Sequence, residues 1–250
     1  MIKAVLRLVL ISIATVSLAF LAVLTVRRMG QSQAYEPPST GWFRQPFWWI
    51  YKPTPPEICQ TKDLAQVVPS KDWIVIVPVE RKDDTWFVPC TPQIAFADFL
   101  HAHPEQHNWL MELKVHDTWS LDQLIDQVHP FESDNQFGVM TEAQKINIYL
   151  RKKAPEWLFA ADSSSLLRFR MYESMWVETA FEFWPDFVVT SADPHSAFYL
   201  DARGAEELHR RQKRVIWNWD ENPSAEPHVP IQGVMTNRPS AAQQKFGQRL

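Results

Sequence analysis

The chain has 250 residues, 46% of them hydrophobic and 22% charged, with a formal net charge of -4. That length holds one anchor and one domain with a real core, and the apolar content excludes both a disordered chain and a multi-span channel. Residues 1–34 carry Lys3, Arg7, Arg27 and Arg28 and no acid, so the remainder carries -8 and argues against a nucleic-acid partner.

Residues 8–26 form an uncharged run of 19 residues rich in Leu, Val, Ile and Ala. At 1.5 Å rise per residue they span roughly 28 Å, about the hydrocarbon thickness of a bilayer. A cleavable signal peptide normally has a shorter apolar core, and Arg27-Arg28 sit badly before the small-residue stretch at 32–34. Residues 1–33 therefore read as an uncleaved single-pass anchor, with the bilayer as a partner. Basic residues flank both of its ends, so charge does not decide the orientation; the simpler topology keeps the short N-terminus inside and exports the domain.

Residues 34–56 read as a juxtamembrane linker, holding Trp42, Phe43, Phe47, Trp48, Trp49, Ile50 and Tyr51 among several prolines. Such aromatics either sit in the headgroup layer or pack as a plug against the domain. From residue 57 to 250, short apolar runs alternate with helical stretches, which predicts one parallel α/β domain. Strands are expected at 73–79, 86–88, 109–115, 157–161, 187–190, 214–219 and 233–236. Capping boxes at Ser120/Gln123 and Thr141/Gln144 open two helices, residues 163–165 open another, and 205–212 form the last crossover helix. No repeat of fixed period and no low-complexity tract is present.

The stretch His209-Arg210-Arg211-Gln212-Lys213-Arg214-Val215-Ile216-Trp217-Asn218-Trp219 is followed by Gly233-Val234-Met235-Thr236-Asn237-Arg238-Pro239. Together they resemble the end of the glycerophosphodiester phosphodiesterase family, where a helix leads into V-x-x-W-T-V-N and then G-V-D-G-I-x-T-D-x-P. Trp109-Leu110-Met111-Glu112-Leu113-Lys114 is similar to that family's E-I-K strand, Lys82-Asp83-Asp84-Thr85-Trp86-Phe87-Val88 to its T-K-D-G-x-x-V-V, and residues 91–100 to its P-T-L-E-E-L-L. The resemblance implies a (β/α)8 barrel, trimmed in places because about 195 residues is short for a full one.

The same resemblance exposes departures. The first-strand H-R-G is matched to residues 57–61, the E-x-D pair falls on Val75 and Val77, and the second catalytic histidine falls on Cys90-Thr91. Of the family's site, Glu112 and Lys114 remain. Glu112 is then the candidate metal ligand, Glu112, Lys114 and His116 the candidate catalytic set on one strand face, and Lys114 with Trp217 the candidate contacts to a phosphodiester or polyol headgroup. A hard cation needs six or more oxygens, so no cofactor is expected, or Ca²⁺ or Mg²⁺ if the site works. These losses imply a degenerate hydrolase acting as a binding or structural module at the membrane. The alternative is an active metal-dependent phosphodiesterase using Glu112, with His116 as base.

Asp162, Asp193 and Asp220 end predicted strands at the same face; they either rebuild a site or cap the following segments. Glu112 and Lys114 either act or form an inherited salt bridge. His101, His103 and His107 precede their strand, at the opposite end of a barrel, and read as a surface loop. Arg210, Arg211, Lys213 and Arg214 read as a solvated basic face or a contact to anionic lipid. Cys59 and Cys90 have neither CxxC spacing nor paired histidines, against a structural zinc site. The resemblance puts them at or beside the two lost histidines, where a disulfide would close the site in an exported domain.

Overall fold

The computed structural model describes residues 2–31, 35, 41–60, 64, 67–70, 72–83, 85–115 and 117–247. The small-residue stretch 32–34, Thr61, Asp84 and His116 lie outside the described residues.

Eight parallel strands form a nearly closed barrel. They are β1 (Trp48–Tyr51), β2 (Ile74–Lys82), β5 (Asn108–Leu113), β6 (Gln136–Met140), β7 (Leu158–Phe159), β8 (Phe187–Thr190), β9 (Arg214–Asn218) and β10 (Gly233–Thr236). The pairing runs β7-β6-β5-β2-β1-β10-β9-β8. One parallel bridge between Ala160 and Phe187 joins β7 back to β8. β7 is only two residues long, so this seam is the weakest in the ring. An antiparallel pair, β3 (Thr85–Val88) and β4 (Ile94–Ala95), extends β2 beyond the ring. Its turn passes through Asp83 at φ 54°, a left-handed conformation that Asp tolerates better than most residues.

The strands divide their side chains by the period of two. Trp48, Ile50, Ile74, Ile76, Leu110, Leu158, Ala160, Phe187, Ile216 and Met235 fill the barrel interior, joined by Trp42. Val75, Val77, Val79, Trp109, Met111, Leu113 and Val139 face a second layer, against α3 (Phe96–Ala102), α4 (Leu121–Val128) and α5 (Gln144–Lys153). α6 (Ser163–Ser174) and α7 (Ala202–Arg210) cover Val188 and Val215. α8 (Pro239–Phe246) covers Trp217 and Val234.

The first barrel strand comes from inside the stretch expected as a linker, so residues 41–51 belong to the barrel. Trp42 and Trp48 are buried, and the indole N–H of Trp48 donates to the Trp42 carbonyl at 2.8 Å. The segment from Gly41 to Phe47 closes the N-terminal end of the barrel, which is the plug arrangement rather than the headgroup one. Arg214 fastens it, donating to the carbonyls of Phe43 (3.1 Å), Gln45 (2.9 Å) and Pro46 (3.1 Å). The expected solvated basic face is therefore corrected. Arg211 is buried and binds Glu207 and the carbonyls of Glu178 and Phe181. Arg210 pairs with Glu207, and Lys213 lies 3.8 Å from Asp186.

Residues 57–60 belong to a short helix, α2 (Pro55–Gln60), not to a barrel strand. Cys59 on α2 and Cys90 after β3 are joined by a disulfide with Cα atoms 5.4 Å apart. The bond thus links a helix to the hairpin beside it, not two facing strand ends. Neither expected capping box forms: Ser120 makes no side-chain cap, and α5 starts at Gln144 itself. Asp162 and Asp201 cap α6 and α7, accepting from the N–H groups of Ser165 and Gly204.

A long helix, α1 (Ile2–Gln31), precedes the barrel. Its stretch Val9–Gly30 has mean hydropathy 2.6 and is long and apolar enough to cross a membrane, by length and composition.

Candidate functional site

The C-terminal ends of the strands surround a cavity of about 490 Å³, within the range of small-molecule sites. Its apolar walls include Met140, Ala160, Val189, Phe198 and Met235. Its polar lining is Lys52, Glu112, Lys114, Thr141, Glu142, Asn218 and Glu221. Each polar group stands at or just past a strand end, where inward-pointing side chains meet solvent.

Glu112 and Lys114 are brought to this mouth, as the sequence suggests, but not to each other. Lys52, the residue after β1, places its Nζ 3.3 Å from Glu112 Oε1. Lys114 turns instead to Glu80, at 3.5 Å. The register explains this: Pro78 of β2 stands opposite Glu112, so Glu80 stands opposite Lys114 at the next inward position. The expected Glu112–Lys114 bridge is thus replaced by two bridges across three strands. On the far wall, Glu221 accepts from Asn218 at 2.8 Å and from the Ser191 hydroxyl.

Trp217 does not reach the cavity. It is fully buried in the outer layer with Val234 and Phe246, because the inward positions of β9 are Ile216 and Asn218. Val75 and Val77 likewise face the helices, so they neither fill nor vacate the mouth. The inward residues near the mouth on β2 are Pro78 and Glu80.

Asp162 serves as a helix cap, and Asp193 accepts from the N–H of His195 at 2.9 Å. Asp220 braces the end of β10, accepting from Thr236 Oγ1 at 2.9 Å and the Asn237 N–H at 2.7 Å. All three are occupied by local structure. His103, at the other end of β5, is buried against Phe99 and Trp109 rather than held in a surface loop. Tyr51, at the end of β1, faces the helix layer, where burial and then the Glu57 charge push its phenol to about 12.

Sequence reading missed Lys52, Glu80, Glu142, Asn218 and Glu221. Lys52 and Glu142 follow the two barrel strands that went unrecognised, β1 and β6. The parity of β2 would have shown Glu80, since it shares a face with Ile74 and Ile76.

Glu112 is paired with a lysine ammonium, and among the described residues no three His, Cys, Asp or Glu side chains converge into a set that would supply the oxygen ligands of a hard divalent cation.

A (β/α)8 barrel with its cavity at the C-terminal mouth is the class that fold and site define. Among solved structures, a phosphodiesterase from Oleispira antarctica, in complex with the product sn-glycerol-3-phosphate, superposes with a TM-score of 0.55. The match has 9% identity and covers 80% of this chain and 96% of that one. A glycerophosphodiester phosphodiesterase from Agrobacterium tumefaciens gives 0.47 at 10% identity, over 77% and 97% of the two chains. No protein-family model and no curated protein matches the sequence. The likeness is one of fold: a glycerophosphodiester phosphodiesterase-like barrel, at 9% sequence identity to the Oleispira protein.

Proposed function

We propose that the chain is a membrane-tethered barrel of the glycerophosphodiester phosphodiesterase type. In this reading it binds a phosphate- or polyol-sized headgroup at its mouth and does not hydrolyse it. One observation carries this: Lys52 lies on Glu112, the carboxylate that the family resemblance assigns to the metal. Phosphodiester hydrolysis of this kind needs a cation to offset the phosphate charge and an acid and base beside it. An ammonium in that place keeps positive charge for binding an anion but supplies no coordination chemistry. Lys52 and Lys114 would hold the anionic group, with Asn218 and Thr141 for hydroxyls and Phe198 and Met235 as apolar walls.

The N-terminal helix supports tethering through its length and composition. The Cys59–Cys90 disulfide supports an exported domain, since such bonds persist in oxidising compartments.

The test is hydrolysis of a glycerophosphodiester panel by the purified full chain, with Ca²⁺ or Mg²⁺ against chelator, beside Glu112→Ala. No turnover in any arm, together with sn-glycerol-3-phosphate binding weakened in Lys52→Gln, is the expected result. Cation-dependent turnover abolished by Glu112→Ala would overturn it and establish an active phosphodiesterase.

A further inference from the structure

α6 is apolar on both sides. Leu166 and Phe169 face the core, while Leu167, Met171 and Met175 lie outward and are more than half exposed. At 100° per residue, 167, 171 and 175 fall on one stripe. Trp176 continues it, and is also more than half exposed. Scattered surface hydrophobics mean nothing, but a stripe of four large ones is unusual.

The helix end gives a second observation. Trp176 takes φ 61° at the position after the last turn, where its N–H donates to the Glu173 carbonyl and that of Val177 to Tyr172. Glycine is the ordinary residue there, because a Cβ is strained in that conformation. A bulky indole held at a strained position is the kind of outlier that points to use.

The third observation is where the stripe lies. Arg27 of α1 stacks over the Trp176 ring at 5.2 Å, and Arg203 over the same ring at 4.5 Å. The Thr179 hydroxyl donates to the Val26 carbonyl at 3.4 Å. A Cβ on Gly30 would lie 2.3 Å from that of Thr179, so the helix backbone sits directly on the barrel there. The C-terminal end of the apolar span Val9–Gly30 is thus level with Trp176.

We propose that the outer face of α6, through Met171, Met175 and Trp176, is a second membrane contact that enters the headgroup layer where α1 leaves the bilayer. This rests on α1 being an uncleaved anchor. The occupant is a lipid surface because the stripe is continuous with the anchor. Trp suits the interface between tails and water, and Arg27, over the Trp176 ring, and the exposed Arg168 of α6 border it for anionic headgroups. The barrel would then lie on its α6 side rather than swing freely, with a fixed bearing of its mouth to the bilayer.

Both native cysteines are in the disulfide, so an introduced thiol is labelled alone. Met171→Cys, Met175→Cys and, as a control on exposed α5, Lys152→Cys would carry an environment-sensitive fluorophore. The full chain would be reconstituted in phosphatidylcholine–phosphatidylglycerol vesicles containing nitroxide lipid. Blue-shifted emission and several-fold stronger quenching at 171 and 175 than at 152 is the expected result. Equal quenching at all three sites, with the protein resisting alkaline extraction, would overturn the contact and leave the anchor standing. Release of the protein by alkaline extraction would overturn the anchor and the contact with it. Disulfide cross-linking between copies through Met175→Cys in the same vesicles would assign the stripe to a second copy instead.

Discussion

A Cβ built on Gly138 would lie 3.0 Å from the indole ring of Trp42, which reaches up from the N-terminal plug into the barrel. Gly138 is the central residue of β6, and its missing side chain is what admits the plug. Leu110 stands 3.2 Å from the same point, so nothing there can move aside freely. Gly138→Val should overpack the barrel floor and destabilise it by about 1–3 kcal/mol. Chemical denaturation of the full chain measures this, and pairing the change with Trp42→Leu should recover part of the loss.

That relationship also explains what the sequence showed and what it hid. Strands β2, β5, β8, β9 and β10 are apolar runs bounded by polar turns, and they are legible as strands. β6 contains a glycine and starts with Gln136, so its pattern is weak; the reason for the glycine is Trp42, nearly a hundred residues earlier. β1 hid in an aromatic, proline-rich stretch whose composition suits a membrane exit equally well. The site followed the same rule. Glu112 and Lys114 sit in a recognisable strand motif. Lys52 depends on locating β1, and Glu80 on the facing of β2. The match to the family's E-x-D pair fell on Val75 and Val77, which have the outward parity. Trp217 failed for the same reason, one residue from the inward Asn218.

Arg214 is the other fastening of the plug. Replacing it with methionine keeps the apolar stem but leaves the carbonyls of Phe43, Gln45 and Pro46 without their shared donor. Charge-assisted bonds are stronger than neutral ones, and the half-buried acceptors at Phe43 and Gln45 suffer when orphaned. Arg214→Met should lower stability by about 3 kcal/mol, with Arg214→Lys intermediate because one ammonium cannot reach all three. Hydrogen exchange at the amides of residues 41–47 should speed up in both variants before global unfolding does.

The disulfide closes a loop with a sequence separation of 31, holding α2 to the hairpin that leaves β2. The chain-entropy argument gives about 3–4 kcal/mol for a loop of that size. A double Cys59→Ala/Cys90→Ala variant should lose stability in that range. The same loss should appear when the native chain is unfolded in reductant, and the variant should then show no further response to reductant.

Glu173 supplies a pH dependence of stability. Burial first, and Asp201 beside it second, raise its pKa from 4.5 to about 8, while Arg203 acts in the opposite direction and Glu178 adds to the rise. For a raised pKa the folded state holds the proton longer than the unfolded one. Its contribution is therefore complete below about 4.5 and is lost as the pH rises through about 8. Burial acts to raise Asp201 too, but its bonds from Glu173 and the Gly204 N–H outweigh this and lower its pKa, so its contribution is lost only on the acid side. Between pH 5 and 8 the Glu173 effect stands clear, with a slope of at most about 1.4 kcal/mol per pH unit. Glu173→Gln, which cannot ionise, should flatten that slope and be relatively more stable at pH 8 than at pH 5.5. Urea unfolding of both proteins across this range checks it; parallel curves would mean that Glu173 is already ionised in the folded chain at neutral pH.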